Sequence, residues 1–178
     1  MLAGDNAFLV KSLQEASLDV AIISEPINLN NHITVPFFED EIIVIVNLHH
    51  IWSAKPFILI NDLLSEPAVM REKGSGTREV FERYLKDNNI NTDSLKIALV
   101  MGNAESVKSA VLSGVGYGVI SELALNHDTE KNQFKKINIS NVRINRKFLL
   151  VFPEIKAKND NIKYFVDFLL NEPVIKIV

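Results

Sequence analysis

The segment Gly74-Ser75-Gly76-Thr77 has the residue types best suited to binding a ligand in this chain. Glycines let the backbone come close to a ligand, and the residues that follow have the pattern of a helix. The first turn of a helix offers unpaired N–H groups and the positive end of its dipole, which favour a carboxylate, sulfate or phosphate. We therefore predict that Ser75, Gly76 and Thr77 bind an anionic ligand. The alternative is that Ser75 or Thr77 only caps its own helix.

Three further residues are candidate ligand contacts because of where their predicted elements begin or end. Asn103 heads another helix, where it can cap that helix, contact a ligand, or do both. Ser24 follows a buried strand over 18–23, and Ile120 lies at the end of a later strand. Ligands of open α/β sheets lie beyond the carboxyl ends of strands, so Ser24 and Ile120 are predicted ligand contacts. Ser121, beside Ile120, is interpreted as a helix cap.

No catalytic residue, metal site or cofactor is predicted. The four histidines lack companion ligands at the spacing that a zinc site needs, and the chain has no cysteine. Gly74-Ser75-Gly76 has the wrong spacing for a nucleophile elbow and no evident histidine partner. Arg71 and Arg78 flank the glycine-rich turn, where each can pair with an anionic effector, but a surface ion pair is the expected role. We expect Trp52 and Phe57 to be packing residues.

Composition and charge narrow the class of protein. The chain has 178 residues, of which 47% are hydrophobic, enough for a sizeable core in one domain or two small lobes. Its formal net charge of −3 argues against DNA binding by this chain alone, since DNA-binding domains are usually basic. No apolar run reaches about 18 residues and no export signal is recognisable, so we expect a cytoplasmic protein without a membrane partner.

Helical and extended segments alternate along the sequence, which predicts an α/β fold with one or two mostly parallel sheets. Helices are predicted over 5–17, from the glycine-rich turn to about 88, over 104–111 and over 158–170, with short helices at 61–64 and from 121 to 127. Strands are predicted over 18–23, 33–37, 41–46, 68–70, 95–100, 116–120, 134–139 and 148–152. In the last helix, the spacing of Ile162, Phe165, Val166 and Leu169 predicts a core-facing stripe.

Several segments resemble, in order, motifs of the effector-binding domains of LysR-type transcriptional regulators. Residues 71–78 closely match the family's pattern R-E-x-G-S-G-T-R. Residues 18–23, 37–42, 102–108 and 111–120 resemble its patterns L-D-hydrophobic-A-I, L-F-x-D/E-E-L, G-S/N-x-E-A-I-K and V-x-A-G-L-G-I-A-L-L. The order and spacing agree from about Gly4 to Leu170, which covers nearly the whole chain.

The resemblance implies the type 2 periplasmic-binding-protein fold, with two α/β lobes joined by two crossing strands and a ligand cleft between them. Lobe I would contain residues 1–47 and 148–178, and lobe II residues 48–147. The similarity begins at about the second strand of the family fold. We therefore expect the first strand and helix to be missing, together with the N-terminal winged helix-turn-helix that family members carry.

The resemblance also implies a function and partners. The chain would be a sensing domain, not an enzyme, that binds a small anionic or zwitterionic metabolite between its lobes and needs no cofactor. It would pair as a homodimer, for which the helix over 5–17 is a candidate interface, and would reach DNA only through the absent N-terminal domain. The alternatives are a stand-alone solute-binding protein, a small enzyme on the same fold, or a fragment that folds poorly.

Overall fold

The computed structural model describes residue 4 and residues 6–25, 27–125 and 133–171. The elements in this part of the chain are α1 (Asn6–Gln14), β1 (Ala21–Ser24), β2 (His32–Asn47), β3 (Pro67–Arg71), α2 (Gly76–Asp87), β4 (Lys96–Met101), α3 (Ala104–Leu112), β5 (Tyr117–Ser121), β6 (Phe134–Ile137), β7 (Ile144–Pro153) and α4 (Asp160–Asn171). Short 3-10 turns lie at Ile60–Leu64, Thr92–Ser94, Glu122–Leu125 and Glu154–Lys156. The predicted end of the short helix at His127 lies outside the described residues.

The chain divides into two compact units. Unit 1 contains residues 1–40 and 146–178, and unit 2 contains residues 41–145. These divisions fall inside β2 and β7, so each of the two strands has residues in both units. The sequence-based lobe boundaries lie a few residues further along, at 47/48 and 147/148.

Unit 1 is built around the antiparallel pair of β1 and β7. Ala21 pairs with Val151, and Ser24 pairs with Phe148. Because side chains alternate across a strand, one face of this pair packs on α1 and the other on α4. The α1 face is a cluster that includes Leu13, Ala21, Ile23, Leu149 and Val151. The α4 face is a second cluster that includes Leu150, Phe152, Ile162 and Val166.

The predicted stripe of α4 is only partly correct. Ile162 and Val166 are buried and Leu169 is partly buried, but Phe165 is 49% exposed. Phe165 lies about 100° around the helix from Val166, which places it at the edge of the stripe. The helical period therefore identified the right helix face but made that face one residue too wide.

Unit 2 contains a mixed sheet, so the prediction of a mostly parallel sheet is wrong. β3 pairs parallel with β4 and with β5, while β2 pairs antiparallel with β5 and with β6. Alternation of helix and strand predicts parallel pairing only for strands that a helix connects directly. That condition holds for β3, β4 and β5, which are linked through α2 and α3. β2 and β5 are far apart in the chain, and alternation does not set the direction in which they pair.

Two hydrophobic clusters cover the faces of the unit 2 sheet. Phe81 and Leu85 of α2 belong to the cluster that contains Met70, together with the buried Trp52. Val107 and Val111 of α3 belong to the opposite cluster, with Val69 and Ile120. The alternation of Val69 and Met70 assigns α3 and α2 to opposite faces. Packing was thus predicted correctly for Trp52, but not for Phe57, which is 52% exposed.

Other differences from the predicted elements concern their bounds. β2 is one strand that runs through Pro36, where the sequence predicts two strands separated by a break.

Two backbones of unit 2 approach each other closely at Gly116, because a Cβ there would lie 2.0 Å from the carbonyl oxygen of Pro67. None of the described helices has the length and apolar character needed to cross a membrane.

Candidate functional site

The glycine-rich turn connects β3 to α2. Gly74 has a φ of +91°, a left-handed conformation that glycine adopts without strain. Ser75 occupies the N-cap position of α2, and its carbonyl accepts a 2.9 Å hydrogen bond from the N–H of Glu79. The hydroxyl of Ser75 makes no capping hydrogen bond, although the residue is buried. Capping therefore does not use the Ser75 hydroxyl, which is the group that would contact a ligand.

Gly76 and Thr77 form the start of α2, and Thr77 is only 6% exposed. The N–H groups in this first turn have no carbonyl partner earlier in the helix, so they are the donors that an anion would use. Glu79 also lies in the first turn. Its carboxylate interacts favourably with the positive end of the helix dipole but would repel an anion that lay beside it.

Arg71 and Arg78 flank the glycine-rich turn, and both side chains form hydrogen bonds and ion pairs there. Arg71 forms a bidentate pair with Glu72, with Nε–Oε2 and Nη2–Oε1 distances of 2.9 and 2.7 Å. The hydrogen bond from Arg71 lowers the pKa of Glu72. Arg78 donates from Nη1 to the carbonyl of Arg71 at 2.9 Å and from Nε to Glu82 at 2.6 Å. Both arginines form the ion pairs expected from the sequence, although Arg78 is buried and not at the surface.

Asn103 begins α3. Its Oδ1 accepts a 2.8 Å hydrogen bond from the N–H of Ser106, so the capping role is realised. The residue is exposed, and its side-chain amide nitrogen has no hydrogen bond within the described chain. Its two N–H donors can therefore reach a ligand while the oxygen continues to cap the helix.

Ile120 lies near the end of β5 with its side chain in the core. The side chain is 1% exposed and belongs to the same cluster as Val107 and Val111 of α3. A ligand contact by Ile120 would therefore use its backbone. Ser121 ends β5 and precedes the 3-10 turn Glu122–Leu125.

Three of the predicted segments come together at one edge of the unit 2 sheet. β3 lies between β4 and β5 and is parallel to both, so the carboxyl ends of these strands are neighbours. Residues 75–77 follow β3, Asn103 follows β4, and Ile120 is the next-to-last residue of β5. This edge, which we call the 75–103–120 edge, carries two helix N-termini and is suited to binding a small anion.

Ser24 belongs to unit 1. It ends β1, is 4% exposed, and is hydrogen-bonded to Asn6 at the start of α1. The Asn6 amide nitrogen donates to the Ser24 carbonyl at 2.9 Å and to its hydroxyl at 3.1 Å. No local pattern in the sequence indicates this contact, because the two residues are 18 positions apart in the chain.

The described histidines do not form a metal site. Across residues 6–25, 27–125 and 133–171, no group of three or more histidine, aspartate or glutamate side chains is placed to hold a metal ion. His50 instead packs against Trp52, with ring centroids 5.0 Å apart, and its Nδ1 accepts a hydrogen bond from the Trp52 N–H.

Comparison with known proteins identifies the family of this chain. Residues 1–173 match the family described as the LysR substrate binding domain. The chain belongs to this family. The family match agrees with the resemblance of residues 71–78 and of the other motifs to LysR-type regulators.

Relatives of this LysR substrate-binding domain are transcriptional regulators. The HTH-type transcriptional regulator CysL of Bacillus subtilis is 27% identical over 169 residues, which are 95% of this chain and 56% of CysL. The chain thus spans about half the length of the curated relatives that it matches. The probable RuBisCO transcriptional regulator of Synechocystis is 32% identical over 132 residues, which are 72% of this chain and 38% of the relative.

Solved structures show the same fold. The CcmR regulatory domain of Synechocystis, in complex with 2-PG, has a TM-score of 0.81 and 25% sequence identity, covering 93% of this chain and 78% of that one. The effector-binding domain of QuiR, in complex with shikimate, has a TM-score of 0.78 and 19% identity, covering 94% of this chain and 77% of that one. The fold is therefore that of LysR regulatory domains, the type 2 periplasmic-binding-protein class.

Lys136 of this LysR substrate-binding domain forms a cluster with two carboxylates that the sequence does not predict. Its Nζ donates to Glu122 at 2.8 Å and to Glu41 at 3.1 Å. These partners are 14 and 95 residues away in the chain, so no local pattern reveals the cluster. Only the pairing of β2 with β5 and β6 brings the three residues together.

Proposed function

We propose that this chain is the effector-sensing domain of a LysR-type transcriptional regulator and that it binds a small anionic or zwitterionic metabolite. The observation that carries the proposal is the 75–103–120 edge, where two helix N-termini follow adjacent parallel strands. The N–H groups of Gly76 and Thr77, the Ser75 hydroxyl and the Asn103 amide are the proposed donors in unit 2. The family match supports the sensing role. The ligands of CcmR and QuiR, 2-PG and shikimate, support an acidic effector.

Ser24 is the proposed contact from unit 1. Its hydroxyl and backbone are already held by Asn6, which fixes the orientation of the hydroxyl oxygen. We propose that binding of the metabolite shifts the population of conformations of this domain. A ligand shifts a conformational equilibrium only by its difference in affinity for the two states, so a response needs contacts that differ between those states.

In the whole regulator, we propose that this domain acts in a homodimer and that a DNA-binding part outside this sequence reads the operator. The proposed role is regulatory and not enzymatic, because the relatives are transcriptional regulators. The acidic balance of the chain agrees with DNA contact through another part of the protein. Sedimentation of the chain as a monomer at high concentration would contradict the homodimer.

A thermal-shift screen tests the proposed ligand class. The chain would be screened against sulfate, phosphate, 2-PG, shikimate and a panel of amino acids. A compound present at 100 times its dissociation constant should stabilise the fold by roughly 2.7 kcal/mol, which raises the melting temperature by several degrees. Thr77→Val removes one hydroxyl from the 75–103–120 edge, and Thr92→Val makes the same change in a distant 3-10 turn.

The expected result is a shift that Thr77→Val weakens and Thr92→Val leaves unchanged. A shift of equal size in both variants would place the ligand away from the glycine-rich turn. The enzyme alternative would be favoured over the sensor if the parent chain converted the bound compound chemically and the replacement of one carboxylate residue abolished that conversion.

A further inference from the structure

Two carboxylates lie together where β2 enters unit 2. Ile42 of β2 pairs with Ser121, the last residue of β5, so Glu41, inside β2, and Glu122, directly after β5, each lie one residue beyond this pair on the same side. Both carboxylates bind the same ammonium group, which confirms that they are close. Without a cation between them, the two neighbouring carboxylates would repel each other and would also repel any anion nearby.

Lys136 supplies that cation from β6. It pairs with Ile45 in the β2–β6 ladder, and its side chain reaches both carboxylates. Partial burial acts to lower the pKa of Lys136, but the hydrogen bonds to Glu122 and Glu41 raise it, and the net change is upward. The ammonium is therefore charged at neutral pH, and the three side chains together carry one negative charge instead of two.

This cluster adjoins the 75–103–120 edge. Glu122 follows Ser121 directly, and Ser121 and Ile120 form the carboxyl end of β5, beside the end of β3. A change in the charge of the cluster therefore changes the electrostatic potential at the place where the effector is proposed to bind. At low ionic strength such an effect extends over about 10 Å or more.

We infer that Lys136 is a specificity-determining residue, which makes the 75–103–120 edge selective for anions by neutralising one of the two carboxylates beside it. The inference rests on the proposed function, because it assumes an anion at that edge. Lys136 would not touch the effector. It would act through the charge of Glu41 and Glu122, so a variant that restores the net charge should restore binding.

The variants at position 136 should fit the site. Glutamine is shorter than lysine and displaces no neighbour, and the cavity of about 110 Å³ bordered by Lys136 and Glu41 leaves room for the larger arginine. The matched control is Lys135, an exposed neighbour on the same strand that forms no ion pair within the described chain. Lys135→Gln and Lys136→Gln change the net charge of the protein equally.

The experiment is a titration with sulfate at low ionic strength, followed by the backbone amide signals of Gly76 and Thr77 in ¹H–¹⁵N spectra. The expected result is that Lys136→Gln weakens sulfate binding roughly two- to tenfold, as one unit charge does at such distances. Lys136→Arg and Lys135→Gln should bind sulfate within about twofold of the parent chain. The double variant Glu122→Gln with Lys136→Gln has the parent's net charge in the cluster and should recover most of the affinity.

Each outcome decides between distinct possibilities. If sulfate does not shift the Gly76 and Thr77 signals of the parent chain, the proposed anion site is wrong and the role of Lys136 falls with it. If the parent binds and Lys136→Gln binds equally well, only the role of Lys136 is overturned. If the double variant binds as weakly as Lys136→Gln while its spectrum stays native, the effect of Lys136 is structural and the charge argument is wrong.

Discussion

Nη1 of Arg78 donates a 2.9 Å hydrogen bond to the backbone carbonyl of Arg71, and this contact closes the glycine-rich turn that lies between the two residues. The guanidinium therefore joins the end of β3 to the first turn of α2. Because the side chain of Arg78 is 8% exposed, little water is available to replace the bond. The position of Ser75, Gly76 and Thr77 depends on a residue that need not touch a ligand.

Replacing Arg78 with alanine should destabilise the fold and weaken anion binding. Hydrogen bonds of a charged group contribute about 1.5–3 kcal/mol, and the carbonyl of Arg71 and the carboxylate of Glu82 would both lose their donor. Urea denaturation measures the stability, and sulfate titration measures the binding. The control is Arg83→Ala on an exposed position of the same helix, which should change stability by less than about 0.5 kcal/mol. Equal losses in the two variants would refute the role given to Arg78.

Asn103 should have separable capping and binding roles. Asn103→Ala removes the cap of α3 and should cost about 1 kcal/mol of stability, whereas Asn103→Asp keeps a side-chain oxygen for the Ser106 N–H. The aspartate should therefore preserve stability to within about 0.5 kcal/mol but weaken sulfate binding more than alanine does, because it adds a negative charge. Urea denaturation and sulfate titration of the two variants give the comparison. Normal sulfate affinity in Asn103→Asp would remove Asn103 from the proposed site.

Gly116 should tolerate no side chain, while Gly102 should tolerate alanine. A Cβ at Gly116 would meet the backbone of Pro67 at 2.0 Å, and backbone cannot move aside as a flexible side chain can. At Gly102 nothing lies within 4 Å of the added Cβ. Gly116→Ala should therefore cost roughly 1–3 kcal/mol or more in urea denaturation, and Gly102→Ala less than about 0.5 kcal/mol. The reverse order of stabilities would show that β5 and β3 do not approach as described.

Stability should fall in mildly acidic solution because of His50. Burial lowers the pKa of His50 in the folded protein from the usual 6.5, and the nearby Glu66 offsets only part of this effect. The unfolded chain therefore binds a proton at a higher pH than the folded chain does. As the pH falls below about 6.5, the unfolded state gains protons first and the free energy of unfolding decreases.

Urea denaturation between pH 7.5 and pH 5 measures this dependence. His50→Gln should show a smaller loss of stability over that interval than the parent chain. His49→Gln changes an exposed neighbour and should keep the parent's pH dependence. An unchanged pH dependence in His50→Gln would assign the effect to another group.

Local patterns predicted the elements that position the candidate site. The helical pattern after the glycine-rich turn predicted α2, whose buried face includes Val80, Phe81 and Leu85, and the turn marked the start of that helix. Of the two roles considered for Asn103, the cap of α3 is observed, and the ligand contact stays a prediction. These features depend on residues within a few positions of one another, and the periodicity of a single sequence reports on that range.

Features that depend on distant pairing were not predicted. The antiparallel direction of β2 against β5, the exposure of Phe57 and the bonds of Lys136 to Glu41 and Glu122 all follow from tertiary contacts. The predicted burial of Phe165 also failed, because the helical period does not tell how far a neighbouring sheet extends across the helix. The ligand contacts of Ser24, Ile120 and residues 75–77 remain predictions.

Unit 2 is one uninterrupted stretch of chain set inside the sequence of unit 1, and this nesting has a consequence for synthesis. When residue 145 has left the ribosome, all the residues of unit 2 are already available to fold. Unit 1 must wait, because β1 pairs with β7 and α4 follows later still. The N-terminal segments of unit 1 are therefore made first but stay unpaired while unit 2 is synthesised. Their apolar side chains, such as Ile23, remain exposed during that time, so rapid synthesis of the rest of the chain protects them against aggregation.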